Sequence, residues 1–409
     1  MFTGTELKLP RFICYKSMIK REQKDTQPKK GGKSLFSRIV AWIHLWPSLI
    51  SAVIVIFVCL TGTIIVYCDE IIDYVNSDVM YVPEVKKEKL PVQEILYRFK
   101  QEFPKRRNPG YMIIYKDPKR SVKFNSFDKE KGLRFVYMDP YTGKVLKDDG
   151  TIYFFYITAH LHNSLLWHGP GNWIIDIATI IFLIELITGL ILWWPAKWTR
   201  KTREQSFKIK WNAKFKRLNY DLHNVLGFYA LSICLVLTVT GIIIAFKPLQ
   251  KLTINSFGGD ASHEWEEQLP KFNAEAKSAE LNDIIDDYFK KLPWSEAAQV
   301  ATYRMDSSGY YGMTFAKRVG LKSRDGNHPV FFDKQSGKEI NVPQSAILHE
   351  NIENVYWALH MGTWMGWFGK LTTFIGGLIA TSLPITGFYI WWGRRKKKRP
   401  VKRITASAV

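Results

Sequence analysis

The sequence predicts a polytopic α-helical membrane protein: four transmembrane helices from a tandem repeat, with two α+β external domains. Three observations lead there. Four apolar runs are each about the 20 residues needed to cross a bilayer. Nearly all the excess positive charge falls on one side of them. A histidine and a Thr-Gly pair recur in all four.

The apolar runs lie at roughly 40–67, 173–194, 222–246 and 371–392, and a mean hydropathy of −0.13 hides them because strongly polar stretches alternate with them. The net charge is +21. Residues 1–38 carry ten Lys/Arg against three acids, the connection 196–219 nine against Glu204, and the end of the chain from 393 eight against none. If all four runs span, these segments share a side, and the positive-inside rule makes it the cytoplasm. Topology thus accounts for the basic charge, and no nucleic-acid partner is predicted. The first run follows a long basic leader without a small-residue cleavage site and reads as an anchor. Trp42, Trp46, Trp193, Trp194, Trp391 and Trp392 sit at run ends, as interfacial aromatics do. The predicted organisation is a cytoplasmic leader 1–38, spans at 39–68, 161–195, 220–247 and 359–393, external domains 69–160 and 248–358, a basic loop 196–219 and a tail 394–409.

Cys14, Cys59, Cys68 and Cys234 include no C-x-x-C pair, which argues against a zinc ribbon, a disulfide framework or covalently attached haem.

The repeat is read from spacing. Thr61-Gly62, Thr188-Gly189, Thr240-Gly241 and Thr386-Gly387 each follow a histidine: His44, His162, His223 and His360. The His-to-Gly intervals are 18, 27, 18 and 27, so run one matches run three and run two matches run four. At an offset of 198, Leu161-His162 falls on Leu359-His360, Gly171 on Gly369 and Trp193-Trp194 on Trp391-Trp392. Each half is helix, external domain, helix, so the halves are parallel repeats related by a pseudo-two-fold along the membrane normal.

In the first external segment, 91–103 has helical spacing, followed by strands at Tyr111–Tyr115, Ser121–Phe127 and Leu133–Asp139. Asp139-Pro140-Tyr141-Thr142-Gly143 is a tight turn. The second segment repeats the order with a helix at Leu281–Lys291 and strands near Ala301–Met305, Tyr310–Ala316 and Pro329–Asp333. Each reads as one helix on an antiparallel sheet.

A lone histidine at a helix end is usually a polar cap. Four at matched positions form two pairs under the pseudo-symmetry: His44 with His223 at the cytoplasmic edge, and His162 with His360 at the external edge. Paired imidazoles from facing helices suit a bis-histidine haem, and two haems near opposite faces make an electron path. Zinc is weaker, since it takes three or four protein ligands. His160 and His168 are rivals to His162, but at the 198 offset they meet Ala358 and Gly366. Pro47 either starts the first helix, leaving His44 just before it, or kinks it. Glu185, mid-span, is a buried carboxyl or a site of proton coupling; its repeat mate is Leu383. Asp69, Glu70 and Asp73 read as solvated helix-end charges.

From His44 to Thr61-Gly62, from Leu161-His162-Asn163-Ser164-Leu165 to Ile187-Thr188-Gly189 and Trp193-Trp194, through Asp221-Leu222-His223, and from Leu359-His360 to Ile385-Thr386-Gly387 and Trp391-Trp392, the chain resembles the PepSY-associated transmembrane proteins, iron-regulated inner-membrane proteins that include ferric-siderophore reductases. The external domains look like PepSY domains. The likeness spans about residues 35–395. It implies two b-type haems (His44 and His223 on the inner, His162 and His360 on the outer) in a bacterial inner-membrane oxidoreductase of iron uptake. Electrons would pass to a periplasmic ferric siderophore or other ferric chelate, releasing iron(II). Between His44 and Ser51 the chain reads Leu-Trp-Pro-Ser-Leu-Ile... rather than the glycine-containing stretch more frequent in relatives.

The contrasting readings are a membrane-anchored PepSY-domain binding protein without redox activity, which leaves the histidines unexplained, and a transporter, which needs broken helices and midplane polar sites. No Gly-x-Gly-x-x-Gly or other nucleotide site is evident in the cytoplasmic loops. A separate electron donor, a quinol or a flavoprotein, is therefore expected. Trp265, Trp294, Trp364 and Trp367 are candidate aromatics on the outer face.

Overall fold

A computed structural model describes residues 34–395 apart from 274, 276 and 304. The basic leader up to 33, Cys14 and the tail beyond Arg395 lie outside the described residues. In chain order, the long helix α1 (Leu35–Ile65) leads to α2 (Cys68–Val75), α3 (Val92–Glu102) and strands β1 (Tyr111–Tyr115), β2 (Val122–Asp128), β3 (Gly132–Met138) and β4 (Val145–Asp149). Helices α4 (Thr151–Ser164), α5 (Pro170–Trp193) and α6 (Arg200–Phe207) follow. Next come α7 (Phe215–Asp221), a π turn at Leu222–Leu226, α8 (Gly227–Ala245) and α9 (Lys247–Ser256). The second external segment holds α10 (Leu281–Lys291), β5 (Ala297–Ala301), β6 (Tyr310–Ala316), β7 (Arg318–Val319), β8 (Arg324–Asp325) and β9 (His328–Asp333), before α11 (Gln344–Met361) and α12 (Gly366–Arg395).

Four helical segments are long and apolar enough to span: Leu35–Ile65, Pro170–Trp193, Phe215–Ala245 and Thr363–Arg395. Helix α1 packs on α5 and α12, and α8 packs on the same two, so α1 and α8 lie on one diagonal of a four-helix bundle. Its middle is filled by Val55, Ala178, Phe182, Leu186, Ala230, Cys234 and Ala380. Outward-facing Ile50, Val53 and Ile177 are more than half exposed, as lipid-facing side chains must be. With these apolar spans the chain is a membrane protein. Pro47 lies inside α1, so His44 is within the helix and not ahead of it. Ser34 caps that helix by accepting from the Ser37 amide at 3.2 Å.

The span starts differ from those expected. The second does not start at 161: Leu165, Leu166 and Gly169 take φ of 51°, 57° and 86°, which ends α4 and separates it from α5. A Cβ at Gly171 would lie 1.8 Å from the Ser164 carbonyl oxygen, and one at Gly369 would lie 2.4 Å from that of Gly362. Only glycine permits either close approach. His162 and His360 therefore ride on α4 and α11, short helices ahead of the spans. The third span starts at Phe215, several residues before the apolar run, because α7 continues it.

The external segments were expected as two domains, each with its own sheet. They share one. Seven antiparallel strands run in the order β4-β3-β2-β1-β5-β6-β9, and β1 pairs with β5 from Tyr111↔Ala301 to Tyr115↔Ala297. Strand five is Ala297–Ala301, not Ala301–Met305. Its alanines have little intrinsic preference for a strand, and pairing on both edges overrides this. One face of the sheet carries α3 and α10 over a common core with Phe99, Phe124, Met138, Leu281, Ile285 and Phe315. That mixed membership is why the two segments cannot be separate units.

The other face meets the membrane-proximal elements. There Ile72, Phe135, Tyr137, Ile152, Phe155, Cys68 and Met361 pack together, joining the sheet to α2, α4 and α11. The acids after α1 are not simply solvated. Lys370 Nζ donates to both Glu70 oxygens at 2.9 and 2.7 Å and lies 3.6 Å from Asp69, while the Leu321 amide donates to Asp69 at 3.0 Å. Burial pushes Glu70 up, but the bond and charge of Lys370, with Arg318, hold it below the ordinary carboxyl range. Trp265 is buried with Leu269 and Ala346 and offers no outer surface, whereas Trp294, Trp364 and Trp367 are exposed.

Candidate functional site

The bundle brings the four repeated histidines together two by two. His44 on α1 faces His223 in the π turn, with ring centroids 6.5 Å apart and planes crossed at 77°. His162 on α4 faces His360 on α11 at 6.2 Å and 60°. The Gly62 that seats His162 lies 18 residues along α1 from His44, which at the α-helical rise is about 27 Å. One pair thus stands at the sheet end of the bundle and the other at the far end, near the thickness of a hydrocarbon core.

Each ring is seated by the Thr-Gly of another helix. His44 Nδ1 is 3.0 Å from Thr188 Oγ1, His162 Nδ1 is 3.2 Å from Thr61 Oγ1, His223 Nδ1 is 3.0 Å from Thr386 Oγ1, and His360 Nδ1 is 3.0 Å from Thr240 Oγ1. A backbone carbonyl three residues earlier joins each contact: Val58 at 2.9 Å from His162, Leu383 at 3.1 Å from His223, and Glu185 and Leu237 facing His44 and His360. A carbonyl can only accept, so Nδ1 carries the proton. The threonine hydroxyls agree, because each spends its own hydrogen on carbonyls of its helix, as Thr61 does on Phe57 and Val58 at 2.8 and 3.0 Å. The neutral rings therefore present a bare Nε2, and among the described residues no hydrogen bond reaches it. This is how a protein prepares a histidine to ligate a metal: the second nitrogen is tied down and sets the tautomer.

The glycine of each Thr-Gly is the floor under the ring. A Cβ at Gly62 would stand 2.8 Å from His162 Cε1; at Gly189, Gly241 and Gly387 it would stand 3.3, 3.2 and 3.3 Å from the corresponding Cε1 of His44, His360 and His223. The π turn is a feature that periodicity does not reveal. It widens the helix at His223, and such turns recur at functional sites. Beside it, Asn219 Nδ2 donates to the Thr386 carbonyl at 2.9 Å.

The rivals to His162 go elsewhere. His160 meets Tyr156 at 4.3 Å and His168 at 5.1 Å, both edge to face. Glu185 is buried in the bundle, where its Oε1 accepts from Ser51 Oγ at 3.3 Å. It stands one turn before Thr188-Gly189, so it borders the seat of His44.

A search of curated proteins finds no match to the chain. The family profile described as the PepSY-associated TM region matches residues 41–394, a stretch that includes all four histidines, all four Thr-Gly pairs and the whole sheet, and the chain belongs to that family.

Proposed function

We propose that the chain binds two b-type haems, one on each histidine pair, and carries electrons across the membrane to a ferric complex on the sheet side. The observation that supports this is the fourfold repetition of one imidazole seat. The rings also fit the group. With about 1.1 Å from ring centre to Nε2 and a metal–imidazole bond of about 2.0–2.1 Å, two rings that shared one metal would have centres up to about 6.3 Å apart, and the centres stand 6.5 and 6.2 Å apart. Among the described residues no group of three or more His, Cys, Asp or Glu converges, and two imidazoles suit a macrocycle that brings four nitrogens of its own.

Haem, when bound, supplies a one-electron carrier at each end of the bundle. The chain's residues do the rest. Threonine and carbonyl hold each Nδ1 proton and aim Nε2. Apolar side chains between the pairs keep water from the path. Glu185, buried beside the seat of His44, would take a proton when a haem held by the far pair is reduced. The ferric complex, a siderophore or other chelate, gains one electron and its iron(III) becomes iron(II), which oxygen chelates hold weakly; the donor loses that electron. The donor is a separate quinol or flavoprotein. By the positive-inside rule the basic segments favour a cytoplasmic side for both termini, which in a bacterial inner membrane would leave the sheet in the periplasm.

Protein purified in mild detergent tests this through its visible spectrum, oxidised and dithionite-reduced, and its haem content. Low-spin b-type bands at about two haems per chain, the count that two bis-histidine sites require, are expected. A colourless protein after expression with ample haem removes the proposal and leaves a membrane-anchored binding protein.

A further inference from the structure

The sheet face opposite α3 and α10 carries a cavity of about 480 Å³, within the size range of small-molecule sites. Its floor includes Ile72, Tyr111, Tyr115, Arg120, Lys123 and Phe135. Ile72 and Phe135 also belong to the cluster that contains Met361, next to His360, and Phe155 of α4, the helix that carries His162. The cavity therefore sits one packed layer from the histidine pair at the sheet end.

Its polar groups are under-used. Lys123 projects from near the start of β2 and is only 8 % exposed, yet no hydrogen bond holds its ammonium among the described residues. It lies 4.5 Å over the Phe135 ring and 3.8 Å from Asp73. Leaving a buried ammonium so lightly partnered is costly unless something else completes it. Arg120 stacks 4.0 Å over Tyr115 and its buried Nε has no partner. The Tyr137 hydroxyl, buried across the strand from Lys123, has none either. Acids also line the cavity. Asp69 is taken by Lys370 and the Leu321 amide, Asp73 faces Lys123 at 3.8 Å and offsets part of its charge, and the exposed Asp117, Glu296 and Asp325 stand at the rim with Lys317 and Arg318. Unspent donors thus lie at the floor, between aromatic faces.

We infer that this cavity takes a ferric chelate of net negative charge with catecholate groups. Phenolate oxygens would accept from Lys123 and Arg120, and the rings would lie against Tyr111 and Tyr115. The inference rests on the proposed reductase reading for its substrate class, but binding itself needs no electron.

Gallium(III) complexes separate the two, since gallium mimics iron(III) and is not reduced. Full-length protein in detergent, with and without haem, is titrated with a gallium tris-catecholate and with a gallium tris-hydroxamate, following tryptophan fluorescence. The catecholate is expected to bind the more tightly, and Lys123→Gln and Arg120→Gln each to weaken it by about tenfold or more, as loss of a charge-assisted hydrogen bond does. Lys123→Arg should retain most of the affinity. If Lys123→Gln fails to fold, Arg120→Gln, in the turn before β2, and Tyr115→Leu, at the end of β1, decide the matter. Unchanged affinity in these variants, or preference for the hydroxamate, overturns the inference. Gallium binding by a colourless protein would uphold the cavity and sink the reductase instead.

Discussion

Thr386 Oγ1 lies 3.0 Å from His223 Nδ1, and its own hydrogen is directed at the carbonyls of Ser382 and Leu383, both at 3.0 Å. The hydroxyl is therefore an acceptor for the ring and strengthens the imidazole as a donor to metal. Thr386→Val keeps the shape and removes the acceptor, leaving only the Leu383 carbonyl. Haem affinity at the far pair should fall by about 10–100-fold, as it does when partners of a ligand histidine are lost. The potential of that haem should rise, because a less basic imidazole stabilises iron(III) less. Redox titration against the Thr61→Val variant, which touches only the other pair, checks the assignment. An unchanged potential would show that the carbonyl alone sets the ring.

The glycines predict a graded series. Gly62→Ala puts a Cβ 2.8 Å from His162 Cε1, closer than real contacts allow, and the ring is half-buried with its Nδ1 held by Thr61 and Val58. The variant should lose the haem at the sheet end and keep the other. Gly189→Ala and Gly387→Ala, at 3.3 Å, require a shift of only a few tenths of an ångström and should retain both haems with altered bands. Haem counted per chain separates the cases. Two haems in Gly62→Ala would mean the ring is free to move.

Both Thr-Gly and His were legible as a spacing, because a membrane helix is regular enough for an 18-residue interval to set a height along the bundle. Their mutual contact was not legible, since it joins different helices whose neighbours are set by packing. Nor was the π turn, for nothing in Leu222–Leu226 departs from helical composition. In the external segments β1, β2, β3, β6 and β9 were legible and Leu281–Lys291 has the expected bounds, whereas β5 was expected four residues late and β4, β7 and β8 were not expected. The fusion of the segments through β1 and β5 was not legible, because strand partners are non-local and Tyr111–Tyr115 carries no mark of which edge will meet it. Trp265 illustrates the same limit: its burial depends on Leu269 and on Ala346, a residue some eighty positions away.

The crossing of the rings makes a spectroscopic prediction. If each pair holds a haem as proposed, imidazole planes kept at 77° and 60° would leave the two iron dπ orbitals that they perturb nearly equal in energy. Oxidised low-spin haems held this way give strongly anisotropic EPR signals, whereas parallel rings give a rhombic one. Two strongly anisotropic signals are expected, the more extreme from His44 and His223, and each should disappear with the matching histidine variant. A rhombic pair would show that the rings rotate on binding haem.

Lys370, only 3 % exposed, ties the top of α12 to Glu70 and Asp69 beyond α1. Lys370→Met leaves Glu70 only Arg318 and Asp69 only the Leu321 amide. A fully buried pair broken in this way costs about 3–5 kcal/mol, and since Glu70 is 37 % exposed roughly 1–3 kcal/mol is expected. The pH dependence has a definite sign. Glu70 is held below its ordinary value in the folded chain, so its contribution is present above the unfolded carboxyl pKa and fades as pH drops below about 4.5 toward the folded value. Thermal unfolding in detergent should show that acid-side loss in the native protein and not in the variant. Parallel curves would mean the cluster is held by other contacts.

Glu185 offers the sharpest test of coupling. Its carbonyl faces His44 and its carboxyl is buried against Ser51, while the equivalent position near His223 is Leu383. A carboxylate in that setting is costly beside an oxidised centre and costlier still beside a reduced one, so reduction should draw a proton onto it. The potential of the far haem should fall with rising pH, and Glu185→Gln, which keeps the size and the Ser51 contact, should flatten that slope while leaving the haem at the sheet end unchanged. Leu383→Glu would supply a second carboxyl by His223 and should steepen it. A slope that persists in Glu185→Gln would move proton uptake elsewhere and leave Glu185 as a packing residue.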